Sequence, residues 1–197
     1  ALGAKASGRT SWHLAKAGIA LRQKDLPAAE ADLGKALELD PKSSQVQQAF
    51  AMLHLARNDT EKAGQSFQKA YELSPLDAGA CLRLAGFKIK TGSIKEGREI
   101  LNQFVQKAPN EKAVAIFLAR VEFDGQNFAD CAKIVDGILA KDPKNYPAML
   151  LHAGLTRVKG ESVATLKVAE ELKREFPSSP EVHFELALAH LQNQDVA

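Results

Sequence analysis

Histidine and cysteine are the residues best suited to acid–base chemistry or to metal binding. The histidines of this chain are His13, His54, His152, His183 and His190. None belongs to a His-Glu-x-x-His motif, in which two histidines one helical turn apart bind zinc and the glutamate acts as a base. His183 and His190 are seven residues apart and could share a helical face, but side-chain packing explains that pair better than metal binding. We therefore expect no histidine-based metal or catalytic site.

The two cysteines give no sign of redox or metal chemistry. Cys81 and Cys131 are 50 residues apart and match no metal-binding or redox spacing. Both fall in predicted helices, where a free cysteine behaves as a small apolar side chain, so we expect buried thiols. No glycine-rich phosphate loop follows a strand, and no Ser–His–Asp arrangement is visible. The sequence therefore predicts that the protein is not an enzyme and binds no cofactor.

Composition narrows the classes of partner. The formal net charge is +2, which does not favour nucleic acid or an anionic membrane as a partner. Hydrophobic residues make up 45% of the chain, enough to bury a continuous core. No stretch approaches the roughly 18 consecutive apolar residues of a membrane-spanning helix. We expect a soluble protein, either cytoplasmic or bacterial periplasmic.

A repeat of 34 residues organises the chain. Prolines recur at that interval, as Pro41, Pro75, Pro109, Pro143 and Pro177. Small residues keep the same register 24 positions earlier, as Ala17, Ala51, Ala85, Ala119 and Ala153. Small side chains at such positions let two helices approach closely. Apolar residues three and four apart before and after a short turn predict two helices in each unit.

The turn between the two helices also repeats. Asp25, Asp59, Ser93 and Asn127 occupy one register and are good N-cap residues for the second helix. Ser93 with Glu96 would form a capping box. Just before the cap, Asn58, Gly92 and Gly160 suit a left-handed backbone conformation.

This pattern resembles the tetratricopeptide repeat, whose period is 34 residues. The segments that carry the resemblance run from Gln23 to Pro41 and from Asn58 to Pro75. The resemblance implies an all-α fold, a right-handed α-solenoid of antiparallel helix pairs. We expect five units at 10–43, 44–77, 78–111, 112–145 and 146–179. Residues 1–9 would be an N-terminal extension or the tail of a preceding unit, and 180–197 the first helix of a sixth unit or a capping helix.

The resemblance also implies a binding surface. In this family the first helices of the units line a concave groove, and register places thirteen residues of this chain there. The candidates are Leu14, Leu21, Met52, Leu55, Leu82, Arg83, Ile89, Lys90, Ile116, Arg120, Phe123, Leu150 and Arg157. Acidic residues are few on this surface, namely Asp124, Glu181 and Glu185. An apolar groove with a basic stripe suits an extended peptide or an amphipathic helix, apolar with some acidic residues.

We therefore expect a non-catalytic scaffold that binds another protein. The regular, alanine-rich repeats resemble bacterial arrays of secretion or exopolysaccharide export assemblies. Two alternatives stay open. The chain could be an architectural segment that self-associates, or a regulatory appendage of a larger enzyme.

Overall fold

The computed structural model describes the backbone of residues 2–194 and the side chains of residues 9–193. Within that part of the chain there are eleven α-helices and no strand, so the predicted all-α class is confirmed. The helices are α1 (Leu2–Arg22), α2 (Leu26–Leu39), α3 (Ser44–Ala56), α4 (Thr60–Leu73), α5 (Ala78–Lys90), α6 (Ile94–Lys107), α7 (Lys112–Asp124), α8 (Phe128–Leu139), α9 (Tyr146–Val158), α10 (Ser162–Glu175) and α11 (Pro180–Gln194). None of these helices is long and apolar enough to cross a bilayer.

The helices form two compact units, Ala1–Ala108 and Pro109–Ala197. In the first unit α1 packs on α2, α3 on α4 and α5 on α6, while α2–α3 and α4–α5 contacts join successive pairs. In the second unit α7 packs on α8 and α9 on α10, and α11 packs on α10. First helices also contact each other directly, as α1 with α3 in the first unit and as α7 with α9 and α9 with α11 in the second. Each unit therefore has a surface built from first helices.

The pairing of helices buries the repeated alanines. Ala17, Ala51, Ala85, Ala119 and Ala153 are all fully buried. Ala187 has the same register on α11, which no described helix follows, and it is exposed. The alanine at this register position is therefore buried by the second helix of its pair, because it is exposed on a first helix that has no second helix packed on it. A larger side chain there would hold the two helices apart.

Every first helix of a pair ends in the same three-residue turn. Its middle residue has a positive φ in all five turns: Lys24 (61°), Asn58 (60°), Gly92 (91°), Gln126 (61°) and Gly160 (76°). In each turn the backbone amide of the third residue donates a hydrogen bond to the carbonyl oxygen five residues earlier. In the first turn Asp25 N donates to Ala20 O at 2.9 Å. This is the bond of a Schellman motif, which requires the left-handed residue. The left-handed prediction for Asn58, Gly92 and Gly160 is confirmed.

All four predicted N-cap residues stand at the N-cap position of their helix, but only two of them make the capping hydrogen bond. The side chains of Asp25 and Asp59 accept hydrogen bonds from the amides of Ala28 and Lys62, at 3.0 and 3.1 Å. Ser93 makes no such bond, so the predicted capping box is wrong, and the Glu96 carboxylate instead lies 2.8 Å from Lys88 Nζ.

Asn127 makes no capping bond either. Its side-chain amide donates to Glu122 at 2.8 Å. The side chain is therefore committed to the preceding helix rather than to the one that it begins.

One buried carboxylate joins α1 to α2. Asp32 is 6% exposed, and its two oxygens lie 2.7 Å from His13 Nδ1 and 3.3 Å from Lys16 Nζ. The hydrogen bond from His13, with a further contribution from Lys16, lowers the pKa of Asp32. The His13 ring thus links α1 to α2 through this contact.

The left-handed turns lead to a stability prediction. Lys24 has a Cβ atom in a conformation that costs about 1 kcal/mol for any residue except glycine. We expect Lys24→Gly to raise the free energy of unfolding by about 0.5–1 kcal/mol, measured by urea denaturation.

Lys35→Gly is the matched control for this prediction, since Lys35 is exposed inside α2. Glycine inside a helix costs about 1 kcal/mol, so this variant should be less stable. Equal losses in both variants would show that the left-handed turn is not strained at Lys24.

Candidate functional site

The predicted groove residues of the first unit lie on α1, α3 and α5. They are Leu14, Leu21, Met52, Leu55, Leu82, Arg83, Ile89 and Lys90, and all are half-buried or exposed. Met52 and Leu55 are 44% and 37% exposed, which is high for large apolar side chains. Leu14 and Leu21 differ, because they pack against the core cluster that contains Ala17, Leu33 and Leu53. Those two leucines therefore contribute to the core as well as to the surface.

The second unit contains a defined cavity between first helices. Its volume is about 440 Å³. The lining residues come from α7, α9 and α11: Arg120, Phe123, Leu150, Leu151, Gly154, Arg157, Pro180, Glu181, Phe184 and Glu185. Four of the predicted residues meet here, namely Arg120, Phe123, Leu150 and Arg157. The fifth candidate of this unit, Ile116, is half-buried on α7 and is not among the lining residues.

The apolar part of the cavity is shaped by a glycine. A Cβ atom on Gly154 would lie 3.0 Å from Cζ of Phe123, closer than van der Waals contact normally allows. The Phe123 ring is also in edge contact with Phe128, with 5.5 Å between ring centroids. Phe184 contributes from α11 and is 63% exposed, whereas Leu151 is almost fully buried behind the surface. The cavity therefore offers exposed aromatic surface beside a helix face without a side chain.

The charged residues of the cavity are positive on α7 and α9 and negative on α11. Arg120 and Arg157 come from α7 and α9, and Glu181 and Glu185 come from α11. Arg157 Nε lies 3.5 Å from Glu185 Oε2, close enough for an ion pair. Both of these atoms are buried, and neither makes a hydrogen bond. Their separation is longer than the roughly 2.7–3.2 Å that is usual for an N–H···O bond. Arg157 and Glu185 therefore attract each other electrostatically, but this Nε–H group and this carboxylate oxygen are not hydrogen-bonded.

Glu181 is held in one position by its neighbours. Its Oε2 accepts hydrogen bonds from Ser179 Oγ at 2.8 Å and from the Tyr146 hydroxyl at 3.2 Å. The bond from its own backbone amide, followed by those from Ser179 and Tyr146, lowers the pKa of Glu181. The carboxylate is thus kept charged at the mouth of the cavity.

The sequence-based candidates included no residue of α11, although the structure places four α11 residues around the cavity. Glu181 and Glu185 were recognised as the acidic residues nearest the C-terminal end of the groove surface. The signal for including them was their register, which matches the groove positions of the earlier first helices. What the sequence could not supply was the approach of α11 to α9.

Neither cysteine is among the residues that line the cavity. Cys81 and Cys131 are free thiols, and both are buried, as predicted. Burial raises the pKa of Cys81 to about 12 and that of Cys131 to about 11, so each is a protonated thiol at neutral pH. Among the described residues no group of three or more His, Cys, Asp or Glu side chains is placed to hold a metal ion.

Comparison with known proteins assigns the family. Two sequence models of the tetratricopeptide repeat match this chain, one over residues 14–78 and the other over residues 54–113. Together they span residues 14–113, just over half of the chain. The chain belongs to the tetratricopeptide repeat family. The fold that the resemblance implied, an array of antiparallel helix pairs, is therefore confirmed.

Relatives of this tetratricopeptide repeat chain are distant. Mouse tetratricopeptide repeat protein 21A is 25% identical over 130 residues, which is 64% of this chain. The chain spans only a tenth of the length of that relative.

Solved structures share the fold at still lower identity. A tetratricopeptide repeat protein from Parabacteroides merdae has a TM-score of 0.76 at 16% identity, with 95% of this chain and 74% of that one covered. YrrB, described as a TPR protein with an unusual peptide-binding site, has a TM-score of 0.64 at 15% identity over 87% of this chain and 89% of its own. MamA has a TM-score of 0.65 at 13% identity over 86% of this chain and 92% of its own. Likeness at this level concerns the fold alone.

Tetratricopeptide repeat proteins are generally non-catalytic scaffolds for protein–protein interaction. In the described part of the second unit, the surface built from first helices contains the cavity of about 440 Å³.

The glycine in the cavity leads to a prediction with an internal control. Gly18 and Gly154 share one register, but a Cβ atom on Gly18 would meet no atom within 4 Å. Gly18→Ala should therefore raise the free energy of unfolding by about 1 kcal/mol, the usual gain for alanine in a helix. Gly154→Ala should gain less or lose, because the new methyl group must displace the Phe123 ring.

Urea denaturation measures both effects, and NMR of the Phe123 ring reports its displacement. An equal gain in both variants, with the Phe123 signals unchanged, would contradict the close contact.

Proposed function

We propose that the chain is a protein-interaction scaffold that holds a peptide or an amphipathic helix in the groove of its first helices. The observation that carries this proposal is the cavity between α7, α9 and α11, in which four residues chosen from register alone come together. Its volume of about 440 Å³ falls in the range of ligand-binding pockets in proteins. Exposed aromatic and arginine side chains are the types enriched at the centres of protein interfaces.

The chemistry of the cavity favours a protein segment over a small metabolite. Phe123, Leu150 and Phe184 provide apolar contacts, and the charged groups lie around them. A segment that inserts an apolar side chain and places charged residues beside it would match both features. We further propose that the scaffold works within a larger assembly, such as a bacterial secretion or exopolysaccharide export system, on the basis of its regular, alanine-rich repeats.

A capture experiment with charge-reversed variants tests this function. Arg120→Glu/Arg157→Glu removes the basic side of the cavity, and we expect it to lose at least about tenfold in partner capture from a lysate of the source organism. Circular dichroism should show that the variant is folded. The matched control is Lys167→Glu/Arg174→Glu, which makes the same charge change at exposed positions of α10 in the same unit.

The control should capture the same partner as the parent chain. Equal capture by all three proteins would contradict binding in the cavity. Capture of further copies of the chain alone would instead support the architectural alternative. A partner that is the remainder of an enzyme would support the appendage alternative.

A further inference from the structure

The acidic side of the cavity is a local feature of α11. Glu181 and Glu185 occupy the second and sixth positions of the 34-residue register. The equivalent residues of the earlier first helices are Ser11, Gln45, Gly79, Ala113 and Pro147 at the second position, and Ala15, Ala49, Arg83, Phe117 and Leu151 at the sixth. No carboxylate occurs among them, so the acidic pair is not a consequence of the repeat.

The boundary between the two charges runs between neighbouring helices. First helices α7, α9 and α11 lie side by side, since α9 contacts both of the others. A segment that crosses from α9 to α11 therefore passes from the arginines to the glutamates. Phe123 and Phe184 lie on α7 and α11, with Leu150 and Gly154 on α9 between them.

The charged groups retain capacity for a ligand. Arg157 Nε and Glu185 Oε2 are buried without a hydrogen bond, although they lie only 3.5 Å apart. A ligand reaches this pair through the parts of the two side chains that stay accessible, 33% of Arg157 and 17% of Glu185. A carboxylate at the Arg157 guanidinium and an ammonium or guanidinium group at the Glu185 carboxylate would form charge-assisted hydrogen bonds there. A purely acidic ligand would satisfy the arginines and would be repelled by the carboxylates of α11.

We propose that the cavity selects a dipolar segment of a partner protein. A large apolar side chain sits over Leu150 and Gly154, an acidic side chain points to Arg120 and Arg157, and a basic side chain points to Glu181 and Glu185. This inference rests on the proposed function, since it names the class of segment that the same groove binds. The arginines alone predict an acidic side chain on the segment, and this inference adds a basic one. It also predicts that the acidic side chain lies over α7 and α9 and the basic side chain over α11.

A random 12-residue peptide library displayed on phage supplies the probe. The full chain is panned, and enriched peptides are synthesised and titrated by calorimetry against the parent and the variants. We expect enriched peptides to carry an apolar residue between an acidic and a basic one. Glu181→Lys/Glu185→Lys should weaken these peptides by at least tenfold, because it sets like charges against their basic residue.

Two further variants separate charge from structure. Glu181→Gln/Glu185→Gln keeps the size and much of the hydrogen bonding of the side chains, so it should stay folded and weaken binding by a few fold. Asp136→Lys/Glu170→Lys makes the same charge change as the lysine variant at exposed positions of α8 and α10, and it should bind as the parent does.

The outcomes distinguish this inference from the function on which it rests. Enriched peptides that are acidic only, or that bind the Glu181→Lys/Glu185→Lys variant with parental affinity, would overturn the dipolar segment and leave the groove as a binding site. Failure to enrich any peptide, or peptides that bind equally well to the Arg120→Glu/Arg157→Glu variant, would overturn both.

Discussion

Close approach of two helices within each pair is the constraint on which the other features depend. Ala17, Ala51, Ala85, Ala119 and Ala153 are fully buried at the same register, and their small side chains allow the second helix to lie directly on the first. This contact decides which face of every first helix is buried. The residues on the opposite face are left half-buried or exposed, and neighbouring first helices bring those faces together. The cavity between α7, α9 and α11 is a consequence of this arrangement.

The turns show how far the sequence alone can predict such a structure. Asn58, Gly92 and Gly160 were predicted to be left-handed because asparagine and glycine tolerate that conformation. Lys24 and Gln126 adopt it as well, although neither residue type favours it. The tertiary packing of the helix pair overrides the local preference there, since the Schellman bond must form for the second helix to turn back. The repeat, and not the residue type, is the reliable predictor at these two positions.

Register predicted the arginines of the cavity as binding residues, and it put the two glutamates on the same surface without making them candidates. Arg120 and Arg157 follow from the period, because their positions recur in each unit. The contact of Glu185 with Arg157 could not be predicted, because it depends on how α11 packs on α9 and α10. Ser93 and Asn127 are a similar case at smaller scale. Their residue types are suited to capping, yet Asn127 bonds to Glu122 instead, a choice that only three-dimensional contacts decide.

Site-specific photocrosslinking tests most directly whether the first-helix groove is the interaction surface. The crosslinking residue p-benzoylphenylalanine would replace Phe184, which is 63% exposed in the cavity, or Val163, which is 79% exposed on α10 and not among the cavity's lining residues. Irradiation in cells of the source organism should yield a partner crosslinked at position 184 and not at position 163. The crosslinked segment of that partner should contain an apolar residue flanked by charged ones. Crosslinks of equal yield at both positions, or at position 163 alone, would contradict the account.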